Sequence, residues 1–202
     1  MLPPPFDFTA YDRIVIGYHG TDEASAERLV HGEAFAESDR DNEWFGKGVY
    51  FWEHAPKQAW WWSKSVRKAK KPAVVGALMR LGNCFDLLDS ENTRALKIFK
   101  ASLDLKYAQR SVPMPTNHRE NMNLDCLVFN SFYMASDASS HSVESARAVY
   151  VPTESKKRIW SRSWIYENAH IQICVRNPRN ILAVWHVRED GRYGKRTAES
   201  AG

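Results

Sequence analysis

An α+β fold is what this sequence predicts, and three observations carry that expectation. Short β-branched or aromatic runs lie at both ends of the chain, helical periodicities fill the middle, and no internal repeat or linker interrupts the 202 residues. A chain of that length suits one domain. Residues 1–202 therefore read as a single domain, with 1–12 an extended Pro-rich arm and 190–202 a polar tail.

The elements follow in order. The run from Arg13 to Gly20 (RIVIGYHG) predicts a strand ending in a turn. Thr21 and Asp22 can cap a helix over Glu23–His31, whose Ala, Leu and Val spacing suits one buried face. Residues 36–47 are polar and carry a glycine, so they predict a loop, and Gly48–Trp52 the next strand. Over 55–71, Ala55, Ala59, Trp62, Val66 and Ala69 recur every three or four positions, which predicts a helix closed by Pro72. Ala73–Leu81 is an apolar strand with Gly82-Asn83 as its turn. Asp86–Tyr107 has a helical pattern with a break, 109–123 is a loop with two prolines, and Leu124–Ala135 is an apolar helix. Ala146–Val151 predicts a strand and 152–168 a charged, Trp-bearing loop. Ala169–Val175 and Ile181–Val187 are strands around an Asn177-Pro178-Arg179-Asn180 turn.

Composition excludes several function classes. The hydrophobic fraction is 44% and the charged fraction 26%, an ordinary globular balance. Eight tryptophans exceed the needs of such a core, so some are expected to line a cleft. A net charge of +4 permits an anionic partner. Cys84, Cys126 and Cys174 form no CxxC pair, which argues for free thiols in a reducing compartment. The N-terminus lacks the basic and apolar parts of a secretory signal, and no apolar run approaches the roughly 18 residues of a membrane span. A cytoplasmic protein with no membrane partner is expected. No HExxH, GxSxG elbow or Walker loop occurs, so no metal is expected.

Three segments carry chemistry: Tyr18-His19-Gly20-Thr21, Gly46-Lys47-Gly48-Val49-Tyr50-Phe51 and Gln172-Ile173-Cys174-Val175-Arg176. In order and spacing they resemble the three NAD-binding motifs of the ADP-ribosyltransferase superfamily, of the diphtheria-toxin and poly(ADP-ribose) polymerase type. The resemblance covers most of residues 13–187. It implies a split β-sheet core with flanking helices, NAD as co-substrate, and mono-ADP-ribosyl transfer to an RNA, DNA or protein acceptor. It also implies a toxin, toxin–antitoxin or anti-phage defence role, with an antitoxin as a further partner.

The resemblance assigns roles residue by residue. His19 would bond the adenosine ribose; a satisfied core histidine is the plainer reading. Gly20 and Thr21 would follow it in a tight turn, where glycine lets a backbone amide approach the nicotinamide carboxamide. Gly48 would contact the cofactor from the GKG turn that feeds the next strand, and Tyr50 would stack on nicotinamide, against the plainer reading of an inward-packed strand tyrosine. Trp61 would complete the aromatic sandwich and Gln58 would bond the carboxamide.

Gln172 stands where the family has glutamate. It can accept the ribose 2′-OH bond but lacks the charge that steadies a cationic sugar. Three readings stay open: activity with a neutral residue, substitution by Glu43, Glu53, Glu154 or Glu167, or binding without turnover. His170 shares the face of Gln172 and is a second candidate. The basic run Lys57, Lys64, Arg67, Lys68, Lys70 and Lys71 is either a solvated face or a phosphate contact. Lys156, Lys157, Arg158, Arg162 and Trp164 are candidates to hold the acceptor, since cations interleaved with tryptophan suit phosphates and bases. Two other classes compete: an RNA 2′-phosphotransferase using Arg13, Arg147 and Arg176, and a catalytically silent NAD- or nucleic-acid-binding module.

Overall fold

The computed structural model describes residues 13–118, 121–139, 142–151 and 158–189. The first strand, β1 (Ile14–Asp22), runs two residues beyond the predicted turn. Asp22 ends it and caps α1 (Glu23–Val30) by accepting the Ser25 N–H at 2.9 Å. β2 (Val49–Glu53) leads into α2 (Pro56–Trp61), which opens on a proline that needs no donor there. A π turn over Trp62–Val66 follows. The predicted helix over 55–71 is therefore too long. Arg67 N–H bonds the Trp62 carbonyl at 2.9 Å, five residues back, and Lys68 takes a left-handed φ of 53°.

β3 (Pro72–Arg80) is followed by a short strand, β4 (Cys84–Asp86), that the sequence pattern does not predict and that takes in the first residue of the expected helix. The helix begins later, because Asp89 caps it through the Glu91 N–H at 2.9 Å. That helix, α3 (Ser90–Gln109), is continuous rather than broken. α4 (Asn123–Asp137), β5 (Ser145–Tyr150), β6 (His170–Val175) and β7 (Ile181–Val187) complete the order, with a 3₁₀ turn at Pro178–Asn180.

The fold is mixed α and β, with one seven-stranded sheet ordered β4-β5-β6-β2-β1-β3-β7 and four α-helices among the described residues. All pairings are antiparallel except β4 with β5. β1 lies along β3 for nine register pairs, from Ile14–Arg80 to Asp22–Pro72. β1 meets β2 at only two, Gly17–Glu53 and Tyr18–Trp52. The sheet is thus two well-paired parts joined by a narrow junction.

Alternation along the strands distributes side chains among three clusters. Phe51, Ile173 and Val175 join Val15, Val75, Ala77 and Met79 under α1, so this cluster spans the junction. On the opposite face of β5 and β6, Ala146, Ala148 and Cys174 pack against Phe129 and Tyr133 of α4. Tyr18, Trp52 and Val74 pack against Ala59 of α2.

One buried ion network ties the junction strand to the far edge. Arg147 of β5 donates to Glu53 of β2 at 2.6 and 3.1 Å and to Asp86 of β4 at 2.9 Å. The three side chains are at most 10% exposed. Arg147→Met would strand two carboxylates in the interior and is expected to cost about 3–5 kcal/mol in urea denaturation; a cost under about 1 kcal/mol would show that water reaches them.

Candidate functional site

Strand geometry defines what the narrow junction exposes. Leu81 N–H bonds the Arg13 carbonyl at 2.8 Å and Glu23 N–H bonds the Lys71 carbonyl at 2.9 Å, so odd-numbered residues of β1 exchange bonds with β3. His54 N–H bonds the Ile16 carbonyl at 3.1 Å, so even-numbered amides face β2. Continuing that register would set Gly20 opposite Tyr50. Instead, the Tyr50 carbonyl accepts the Nδ1–H of His19 at 2.9 Å. The imidazole thus takes the place of the next rung. Among the described residues no strand pairs with Gly20 on that side, but Gly20 is buried and is not among the residues that line the cleft. Gly20 lies inside β1 rather than in the predicted turn. It must be glycine because a Cβ there would meet the Ala59 carbonyl oxygen of α2 at 2.4 Å.

A cleft of about 1620 Å³ opens at this junction. That exceeds the roughly 300–1,000 Å³ of most small-molecule pockets. His19, Tyr50 and Gln172 all line it, brought together from β1, β2 and β6. Thr21, Gly48, Gln58 and Trp61 line it too.

Each side chain is held by identifiable partners. The His19 ring rests edge-on to Phe35 at 5.3 Å and tilted to Phe51 at 5.7 Å. Burial, with a lesser push from the Arg67 charge, holds its pKa below the ordinary imidazole value, against the opposing Tyr50 carbonyl bond. The ring is neutral, with Nε2 as its acceptor. The Tyr50 hydroxyl donates to the Gly46 carbonyl at 2.7 Å and accepts the Phe45 N–H at 3.1 Å. Burial drives its pKa far up, so it stays a phenol and acts as a fixed ring rather than a base.

Gln172 sits in an aromatic cage. Its Oε1 accepts the Trp44 indole N–H at 2.7 Å, and its Nε2 donates to Nε2 of His170 at 3.1 Å. The same His170 nitrogen accepts the Trp52 N–H at 3.1 Å, while its Nδ1–H donates to the Asn168 carbonyl at 2.6 Å. His170 is therefore neutral, stacked on Tyr150 at 5.1 Å, with its pKa lowered chiefly by burial. Asn168 in turn accepts from Gln58 Nε2 at 3.2 Å, which links α2 to β6. Trp44, Trp52, Tyr150 and Asn168 were not among the sequence candidates. Trp52 was accessible, since it lies two residues from Tyr50 and so shares its face; Trp44 and Asn168 carry no periodic signal.

The three consecutive tryptophans separate as helical spacing requires. Trp60 packs inward, Trp62 leans on Trp52, and Trp61 stays 57% exposed at the cleft. Gly48 also serves packing, since a Cβ would meet Cys174 Sγ at 2.4 Å. Of the acids offered as substitutes for glutamate, Glu43 lines the cleft and accepts from Ser38 at 2.7 Å. Glu53 is committed to Arg147, Glu167 is exposed outside the wall, and Glu154 lies outside the described residues. In the basic run, Lys57 and Arg67 reach the cleft. Lys64 pairs with Glu189, Arg67 with Asp22 and Lys71 with Glu23.

The proposed acceptor group divides. Lys156 and Lys157 lie outside the described residues. Arg158, Arg162 and Trp164 sit on a hairpin over 158–166 beside the cleft, not in its wall. The arginines required by a 2′-phosphotransferase do not converge. Arg147 is buried in its ion network, Arg176 pairs with Asp137 at 2.7 Å over the Tyr133 ring, and Arg13 is outside the cleft wall. The three cysteines are buried free thiols. Among the described residues, no group of metal-ligating side chains is assembled and no helix is long and apolar enough to cross a membrane.

No family model matches the chain, and no solved structure matches it. The sequence is similar to an uncharacterized protein of Methanocaldococcus jannaschii, 28% identical over 189 residues that cover 84% of this chain and 85% of that one.

The two neutral histidines set a pH dependence. An unfolded imidazole takes a proton as pH falls through about 6.5, whereas His19 and His170 resist until lower pH. Over that window the unfolded chain binds more protons, so the stability they contribute is complete above about pH 6.5 and is lost as pH falls toward their native values. The Tm is expected to drop between about pH 7.5 and 5.5, less so in His170→Asn; an unchanged Tm would show that the rings are not buried neutral.

Proposed function

We propose that this protein is an NAD-dependent mono-ADP-ribosyltransferase that modifies a nucleic-acid or protein acceptor, in the manner of a toxin or defence effector. The observation that carries this reading is the convergence of His19, Tyr50 and Gln172 on one cleft, at a junction where the sheet divides. The narrow β1–β2 contact supports an ADP-ribosyltransferase-like split core.

The residues present suit the dinucleotide. Gln58 in the cleft wall offers a side-chain amide to a flat carboxamide. Tyr50 and Trp61 offer ring faces on either side of it. His19 Nε2 can accept a ribose hydroxyl. Arg28, Arg40, Arg67 and Lys57 in the cleft wall supply charge for a pyrophosphate. In the reaction, the bond from nicotinamide to its ribose breaks, C1′ bonds to the acceptor, and the acceptor gives up a proton. Gln172 contributes a carbonyl oxygen, pre-oriented by Trp44, toward the sugar that gains positive charge. Its neutrality favours a second reading, a module that binds NAD without turning it over, and nicotinamide release separates the two.

His19→Ala and Tyr50→Ala are expected to abolish nicotinamide release from NAD. Tyr50→Phe should retain activity, because it keeps the ring while losing the Gly46 anchor. Gln172→Ala should lower release about tenfold or more, and Gln172→Glu should raise it. Unchanged turnover in both His19→Ala and Tyr50→Ala would place the chemistry elsewhere.

A further inference from the structure

The hairpin over 158–166 displays apolar surface to solvent. Trp160 is 62% exposed and Trp164 is 89% exposed, with Ile159 and Ile165 also exposed. Such surface normally turns inward unless it has a partner. The display is built rather than frayed. Arg158 bridges to Tyr166, Ile159 N–H bonds the Ile165 carbonyl at 3.2 Å, and Ser163 N–H bonds the Trp160 carbonyl at 3.1 Å. Ser163, buried at 4% exposure, accepts the Ile165 N–H on its hydroxyl at 3.0 Å. Arg162 at the tip holds a φ of 63°. The backbone is thus bonded into a shape that holds both indoles out.

The chemistry of the display selects among partners. Residues 158–166 contain two arginines and no acid. The Arg158 guanidinium lies 4.9 Å over the Tyr166 ring and 6.0 Å from that of Trp164. Flat aromatic faces interleaved with cations match stacked bases and their phosphates. The hairpin also leads into the cleft through Asn168, which Gln58 contacts. A duplex hides its base faces, so this surface fits a single strand.

We infer that the hairpin over 158–166 binds single-stranded nucleic acid, with bases stacking on Trp160 and Trp164, and so names the acceptor of the transferase reading on which it rests. The test measures fluorescence anisotropy of labelled single-stranded RNA and DNA 20-mers and of the matching duplex on the full chain. A Trp160→Ala/Trp164→Ala variant is compared with the parent, with an unchanged Tm as the control for folding. The expected result is preference for the single strand, weakened about 10- to 100-fold in the double variant. The RNA and DNA arms tell which sugar is preferred. Equal binding by the double variant, preference for duplex, or label from NAD reaching a protein fraction through these tryptophans would overturn the inference. Absence of nicotinamide release by the parent chain, with its oligonucleotide binding intact, would instead sink the transferase reading and leave this surface standing.

Discussion

The β1–β2 ladder stops after Tyr18–Trp52, and a side chain occupies the place of its next rung. The Tyr50 carbonyl would continue the ladder to Gly20, but it accepts the His19 imidazole instead. Gly20 is thereby left without a strand partner on that side. The cost of interrupting a ladder is offset locally, since the Tyr50 carbonyl remains bonded. Ordinary pairing through Gly20 would close the gap and bury the groups that line the cleft.

The rest of the molecule holds this junction open without letting it come apart. One apolar cluster crosses it from Val15 and Met79 to Phe51 and Ile173. On the other faces, α2 and α4 cover separate clusters on the two parts of the sheet. Arg147 anchors the end of β2 through Glu53, and the Gln58–Asn168–His170–Gln172–Trp44 chain of bonds links residues of the cleft wall. Gln172 is therefore oriented by Trp44 and by His170 of its own strand, which Trp52 of β2 and Asn168 hold in turn.

Much of the site was legible from residue types. Tyr-His-Gly-Thr, Gly-Lys-Gly-Val-Tyr-Phe and the strand from Gln172 each contain an arrangement that local rules can interpret: glycine where backbones approach, and alternation that gives Tyr50 and Gln172 a face. The partners were less legible, because Trp44 reaches Gln172 across 128 positions and Asn168 reaches Gln58 across 110. The basic run after Trp62 looked like one charged helix face, yet the π turn and Lys68 redirect it into separate ion pairs. Glu53 looked like a free acid near the site until Arg147 was seen beside it.

By itself the sequence determined the type of most strands and helices and a set of side chains able to face a cleft. Those follow from local sterics and from periods of two and 3.6 residues, which the chain carries along its length. Only the tertiary structure decided that β1 runs through Gly20 to Asp22, that His19 bonds the Tyr50 carbonyl while its ring packs on Phe35 and Phe51, and that Gln172 is fixed by Trp44 and His170. Such choices are competitions for one hydrogen-bond partner among groups far apart in the chain, and which group wins depends on where the packed elements bring them.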